Sequence, residues 1–204
     1  MALGPGRNSL VSASNNVVDR GAVECPSECD SLEPIVLASQ QGDAEAQREL
    51  YERCQQSVYR LVVRMVGVQA APDVAQDTFL QTFRSLRQFS GRSRFETWLY
   101  RIAVNECLQF LRRARREPCE RLTREPEDRS PDKADHHQHR ELLERALGQL
   151  DPDLRSVFLL REIEGLSYRE LAEALEIPEG TVASRLNRAR TELQRLLREL
   201  GWEL

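Results

Sequence analysis

The residues of this chain best suited to a chemical task form a stripe near its C-terminus: Thr181, Ser184, Arg185 and Arg188, spaced to share one face of a helix. Hydroxyl and guanidinium groups in that pattern recognise; they do not make bonds. Arginine can bridge two acceptors on the major-groove edge of guanine, and Ser or Thr can meet a base or a phosphate. The inventory for covalent chemistry is thin, with no nucleotide-cradling loop, nucleophile motif or firm metal spacing. His136, His137 and His139, weighed beside Cys25, Cys29 and Cys119, match no standard zinc pattern. Inert thiols and a surface histidine cluster are therefore expected, with no cofactor, no metal and no enzymatic activity.

The stripe needs a frame, and the surrounding sequence supplies one. Ser167 and Glu170 form a capping box flanked by Leu166 and Leu171, which starts a helix. Tyr168, Leu171, Ala172 and Leu175 recur at helical spacing and must pack on something. Glu176-Ile177-Pro178 then interrupts the pattern, because proline disfavours helical geometry in the residue before it and preorganises a new start. From Gly180 a second helix turns Val182, Leu186, Ala189 and Leu193 inward, leaving the polar stripe outward. This is the layout of a helix-turn-helix, whose second helix enters the major groove of DNA.

Composition bounds the remaining possibilities. The 204 residues are 40% hydrophobic and 30% charged, which allows one or two domains with real cores. A formal net charge of −4 rules out a uniformly basic coat, so DNA contact must come from local patches. No apolar run reaches the ~20 residues of a membrane span and no signal peptide is apparent, so no membrane insertion is expected and the protein is placed in the cytoplasm. Five cysteines without framework spacing suit a reducing compartment, with Cys54 and Cys107 falling on apolar helical faces.

Along the chain, residues 1–33 read as a disordered tail, 34–116 as a helical block, 117–139 as a polar, proline-containing linker, and 140–204 as a second helical block. No strand-type alternation is evident. The fold class is all-α: two small helical domains joined by a flexible linker.

In the first block, Asp43 caps a helix running to about Val66, with Leu50, Cys54, Val58, Leu61, Val62 and Met65 inward. Pro72 opens the next helix, which buries Ala75, Phe79, Thr82, Phe83 and Leu86. Its opposite face carries Asp73, Gln76, Asp77, Leu80 and Arg84, a mixture that suits protein docking as well as an ordinary wet surface. After Phe89-Ser90-Gly91-Arg92, a Ser93–Glu96 capping box leads into a long helix with Phe95, Trp98, Leu99, Ile102, Ala103 and Phe110 inward. Arg101, Asn105, Gln109 and Arg112 lie on its outer side, and Arg112, Arg113, Arg115 and Arg116 crowd its exit. Such an exit complements the helix dipole and also suits a groove for nucleic acid.

Four runs together, PDVAQDTFLQTFRSLRQF, SRFETWLYRIAVNECLQFLRR, LDPDLRSVFLLREIEGLSYRELAEAL and IPEGTVASRLNRAR, resemble the extracytoplasmic-function (ECF) group of the bacterial sigma-70 family. The resemblance covers nearly all of both blocks in the family's order. It implies that the first block is region two, which binds the polymerase beta-prime coiled coil and captures the non-template strand of the minus-ten element. The second would be region four, which reads the minus-thirty-five element and touches the beta flap. Carried over, Asp73, Gln76, Asp77 and Leu80 fall on the polymerase-binding helix, and Arg84 continues that face. The segment from Phe89 through Ser90 and Arg92 to Arg94 matches the strand-capturing loop. Arg101, Asn105, Gln109 and Arg112, with Arg113 beside them, lie on the minus-ten helix, and Gly180, Thr181, Ser184, Arg185 and Arg188 sit where the upstream element is read. The implied partners are core RNA polymerase, promoter DNA and an anti-sigma factor, with the free protein a monomer. Val68-Gln69-Ala70-Ala71-Pro72 departs from the acidic or small polar run usual before the polymerase-binding helix. On residues alone, a dimeric DNA-binding regulator and a helical adaptor without a DNA role stay open.

Overall fold

Several of the described helices start or stop at a capping side chain, a proline or a glycine. The computed structural model describes residues 31–116 and 134–202, and among these the regular structure is helical. Helix α1 spans Glu33–Gln40 and α2 spans Ala44–Val66, the latter capped by the Asp43 carboxylate, which accepts from the Glu45 and Ala46 amides. Gly67 ends α2 at φ +90°, a conformation that glycine adopts without a side-chain clash. Pro72 sits in the first turn of α3, Ala71–Ser85, where its missing N–H costs nothing; a short 3-10 turn follows at Leu86–Gln88.

Helix α4, Phe95–Arg116, runs through the first block. The Arg94 carbonyl accepts from the Trp98 amide at 3.2 Å, so Arg94 and not Ser93 stands at the N-cap. The expected Ser93–Glu96 box is thereby out of register, and Glu96 pairs instead with Arg94 at 3.4 Å. Trp98 is 9% exposed, Cys107 is buried as expected, and Thr97, Tyr100 and Val104 join the expected apolar residues in the interior. Thr78 and Thr82 are buried on α3, each hydroxyl donating to the carbonyl four residues earlier, at 2.7 and 2.8 Å. A buried hydroxyl satisfied in this way costs little.

The second block holds α5 (Ala134–Gln149), α6 (Pro152–Glu162), α7 (Tyr168–Leu175) and α8 (Glu179–Glu199). Helix α5 begins inside the stretch read as linker, five residues before its expected end at His139. The side chains of His136, His137 and His139, together with Cys25, Cys29, Cys119 and residues 1–30 of the expected tail, lie outside the described residues, whereas Glu33, read as the tail's last residue, already begins α1.

The buried apolar residues of the two blocks merge into one core. Arg155 of α6, 7% exposed, is the polar centre of that union. Its guanidinium donates to the Met65 carbonyl of α2 at 2.6 Å and to the Gly148 and Leu150 carbonyls at 2.6 and 2.8 Å. A cation against the carbonyl ends of two helices satisfies acceptors that the helices leave over. Burial pulls the Arg155 guanidinium below its ordinary pKa, an effect that Asp151 opposes.

Candidate nucleic-acid interface

The C-terminal helix pair takes the geometry that its caps require. Ser167 Oγ accepts from the Glu170 amide at 3.3 Å while the Glu170 carboxylate accepts from the Ser167 amide at 2.8 Å, completing the capping box. Burial works against the Glu170 carboxylate, but its bonds from Ser167 and the nearby Arg94 outweigh that and lower its pKa. Leu171 and Ala174 are the fully buried residues of α7, whereas Tyr168 is exposed under the Arg161 guanidinium, 5.4 Å from the ring centroid. The expected inward stripe is therefore rotated: Ala174 belongs to it and Tyr168 does not. Arg161 also donates to the Leu166 carbonyl at 2.6 Å, which fixes the turn between α6 and α7.

Helix α8 then projects from the turn with Val182, Leu186, Ala189 and Leu193 buried. Gly180, Ser184 and Arg188 are exposed, and Thr181 and Arg185 are partly so. Ser184 donates to the Thr181 carbonyl at 2.9 Å, leaving its oxygen free to accept. Neither Arg185 nor Arg188 enters an ion pair among the described residues. Two uncommitted guanidinium groups beside two hydroxyls on one exposed helical face can hydrogen-bond base edges and phosphates. Arg188 also lines a groove of about 1080 Å³ whose other walls include Arg64, Val68 and Arg115.

In the first block the Phe89–Arg94 loop is braced from below. Phe89 packs on Trp98 and Phe95, with ring centroids 5.2 and 5.7 Å away, and those two rings lie 5.7 Å apart. Trp98 is committed to this cluster and not to stacking on a base. Gln40 of α1 donates to the Leu86 and Phe89 carbonyls at 3.0 and 2.7 Å, pinning the start of the loop. No motif around Gln40 announces that part; the fold supplies it. Ser90, Arg92 and Arg94 are exposed on the loop, as are Asn105, Gln109, Arg112 and Arg113 on α4. Arg113 donates to Gln109 Oε1 at 3.2 Å, so that pair acts as a unit.

Arg101 stands apart from its neighbours on α4. It is half-buried, with Nη1 3.3 Å from Glu176 Oε1. Tyr100, one residue earlier and 8% exposed, donates to Glu164 Oε2 at 2.6 Å. Burial, then the Glu164 carboxylate, raises the Tyr100 pKa, so the phenol stays a donor.

On α3, Asp73, Gln76, Asp77, Leu80 and Arg84 are all exposed, with Leu80 at 46%. Beside them Tyr51, Tyr59, Phe79 and Phe83 line a shallow groove of about 860 Å³. The α2 tyrosines were invisible to a reading of α3 alone. A polar rim around partly exposed aromatics is the composition of a protein-docking surface.

Residues 50–117 match the family model for sigma-70 region 2, and residues 140–193 match that for sigma-70 region 4. The chain is 37% identical over 179 residues to the ECF RNA polymerase sigma-E factor of Haemophilus influenzae, covering 81% of this chain and 95% of that one. It is 38% identical over 180 residues to the RNA polymerase sigma-H factor of Pseudomonas aeruginosa, covering 81% and 93%. Among solved structures, the sigma factor RpoE in complex with the anti-sigma factor NepR from Bartonella quintana is similar at 25% identity and a TM-score of 0.58, over 74% of this chain and 96% of that one. CnrH in complex with the cytosolic domain of CnrY shares the fold at 24% identity and a TM-score of 0.63, over 83% and 99%.

Proposed function

This chain belongs to the extracytoplasmic-function group of the sigma-70 family of RNA polymerase sigma factors, and from that premise we propose how its surfaces divide the work of starting transcription. The α3 face, Asp73, Gln76, Asp77, Leu80 and Arg84, holds the beta-prime coiled coil of core RNA polymerase. The Phe89–Arg94 loop and the α4 residues Arg101, Asn105, Gln109, Arg112 and Arg113 take the non-template strand of the minus-ten element. Gly180, Thr181, Ser184, Arg185 and Arg188 read the minus-thirty-five element in the major groove, and the second block also meets the beta flap.

One observation carries this reading. A single chain presents, in the family's order, an exposed docking face, a braced loop leading into an arginine-bearing helix, and a helix-turn-helix with uncommitted arginines. The chemistry is differential binding with no covalent step and no cofactor. Duplex contacts fix the register, and bases drawn out of the stack downstream offset an unstacking cost of a few kcal/mol. Melting is coupled in this way to recognition.

The protein acts in the cytoplasm, as a monomer until it meets the polymerase. No described helix is long and apolar enough to cross a membrane. An anti-sigma factor is a further partner, supported by the capture of the Bartonella relative with one. The test is footprinting of a promoter by core polymerase with and without this chain: protection centred on two upstream elements is expected only with it, and identical footprints would refute the reading.

A further inference from the structure

The Phe89–Arg94 loop runs between two anchors. At its far end the Arg94 carbonyl accepts from the Trp98 amide at 3.2 Å, which fixes Arg94 to the first turn of α4. At its near end the Phe89 ring packs on Phe95 and Trp98. A packed ring settles where Phe89 sits, but not the direction in which the chain leaves it. That direction depends on one soft dihedral, the ψ angle of Phe89, which stands at +117°. Rotation about ψ would swing the Phe89 carbonyl, and that carbonyl accepts from Gln40 Nε2 at 2.7 Å. The same nitrogen donates at 3.0 Å to the carbonyl of Leu86, the residue that follows α3. One side-chain amide therefore ties the exit of α3 and the entry of the loop to a third element.

The helix end that carries Gln40 is itself held. Gln40 is half-buried as the last residue of α1, and Val36, one turn earlier, is buried in the core. The Ser39 carbonyl accepts from Gln47 Nε2 of α2 at 3.2 Å, and the Ala38 carbonyl accepts from the Asp43 amide at 3.2 Å. These bonds fasten the end of α1 to the start of α2. Between the loop's anchors lie Ser90, Gly91, Arg92 and Ser93, with Ser90 and Arg92 exposed and Gly91 turning the chain at φ +69°. Helix α1 precedes the stretch that matches region 2, so the pin reaches the loop from outside it.

We propose that Gln40 is a positioning residue for strand capture: by holding the Phe89 carbonyl it presets the path of Ser90 through Arg94, and the minus-ten strand meets a loop already in its binding shape. The inference rests on the reading of that loop as the strand-capturing element. Gln40 makes no contact with the strand and acts through the loop. A loop ordered beforehand spares the complex the entropy of ordering it on binding.

The test measures how tightly the full chain, bound to core polymerase, holds a short fluorescein-labelled single-stranded DNA copied from the non-template strand upstream of a mapped transcript start. Wild type is compared with Gln40→Met, which keeps the volume and loses the donor, and with Gln40→Asn, which keeps the amide on a shorter arm. Both should hold the strand about tenfold more weakly, the scale of one or two partly buried hydrogen bonds, while affinity for core polymerase stays within about twofold of wild type. Each substitution is also placed in an Arg92→Ala background. Because Gln40 acts through the loop, the effects should couple, and Gln40→Met should weaken binding by less than about twofold once Arg92 is gone. Wild-type affinity in either Gln40 variant, beside a loss in Arg92→Ala, would overturn the proposal and leave the loop reading intact. An equal loss with and without Arg92, or a matching loss of affinity for core polymerase, would also overturn it, because Gln40 would then act on the fold as a whole. No loss in Arg92→Ala, or no binding of the strand beyond that of core polymerase alone, would overturn the loop reading and the proposal with it.

Discussion

The Arg155 guanidinium donates through Nη1 to the carbonyl oxygen of Met65, 2.6 Å away and 90 positions earlier in the chain. One buried side chain thus ties the second block to the C-terminal end of α2, while its other nitrogen serves Gly148 and Leu150. Arg155→Ala leaves these carbonyls without that donor and opens a void in the core. Equilibrium unfolding in urea should show a loss of about 3 kcal/mol, since orphaned buried acceptors cost roughly 1 to 3 kcal/mol each and partial rehydration will limit the sum. A loss below about 0.5 kcal/mol would contradict this role.

The helix-turn-helix depends on its first cap. Ser167→Ala removes the hydroxyl half of the capping box, and with it the Ser167 hydroxyl's bond to the Glu170 carboxylate, and should destabilise the fold by about 1 kcal/mol. The same cap gives a pH signature. The folded pKa of Glu170 is lowered from its ordinary 4.5, so its contribution is fully present above that value and is lost as pH falls through the lowered one. Thermal melts from pH 6 down to pH 3 should show a shallower acid decline in Ser167→Ala than in wild type. Parallel declines would refute the assignment.

Cys54 and Cys107 are inert by position. Burial pushes both thiols up to about 12, which leaves a thiolate fraction of about one in ten thousand at pH 8. Alkylation followed by peptide mass mapping should leave both unmodified in the native protein and modify both in denaturant. Rapid native labelling of either would contradict the packing described.

Asp77 is exposed on α3 beside Leu80 and Gln76. Asp77→Lys should abolish co-purification with core RNA polymerase while changing stability by no more than about 0.5 kcal/mol, the usual scale of a surface substitution. Full retention would remove α3 from the polymerase interface.

How much of this was legible in the sequence depended on range. The Asp43 cap, Pro72 at the start of α3 and the Ser167–Glu170 box are local devices acting within a few residues, and all three took their expected places. Arg155 with Met65, Tyr100 with Glu164 and Gln40 with Phe89 join positions 90, 64 and 49 apart, and no local pattern encodes such pairings. Periodicity also cannot separate a side chain that packs from one that lies beneath a cation, which is why Tyr168 was read as inward. On α4 the phase of the apolar stripe was right, but the cap was one residue late, because Ser-x-x-Glu describes a register that Arg94 overrides. The outward stripe of α8 was legible because its inner face is regular. The covering of Arg101 by Glu176 was not.

The central claim is that this chain selects where transcription begins, through the outward face of α8. The most direct test is sequencing of transcript starts from genomic DNA with core polymerase reconstituted with the wild-type chain or with Arg188→Ala. Wild type should produce a set of starts, absent with core polymerase alone, that share two spaced upstream elements. Arg188→Ala should weaken use of the upstream element by about 1 to 3 kcal/mol, the worth of a specific arginine–base contact, and redistribute the starts. Starts no different from core polymerase alone, or an unchanged distribution with Arg188→Ala, would contradict it.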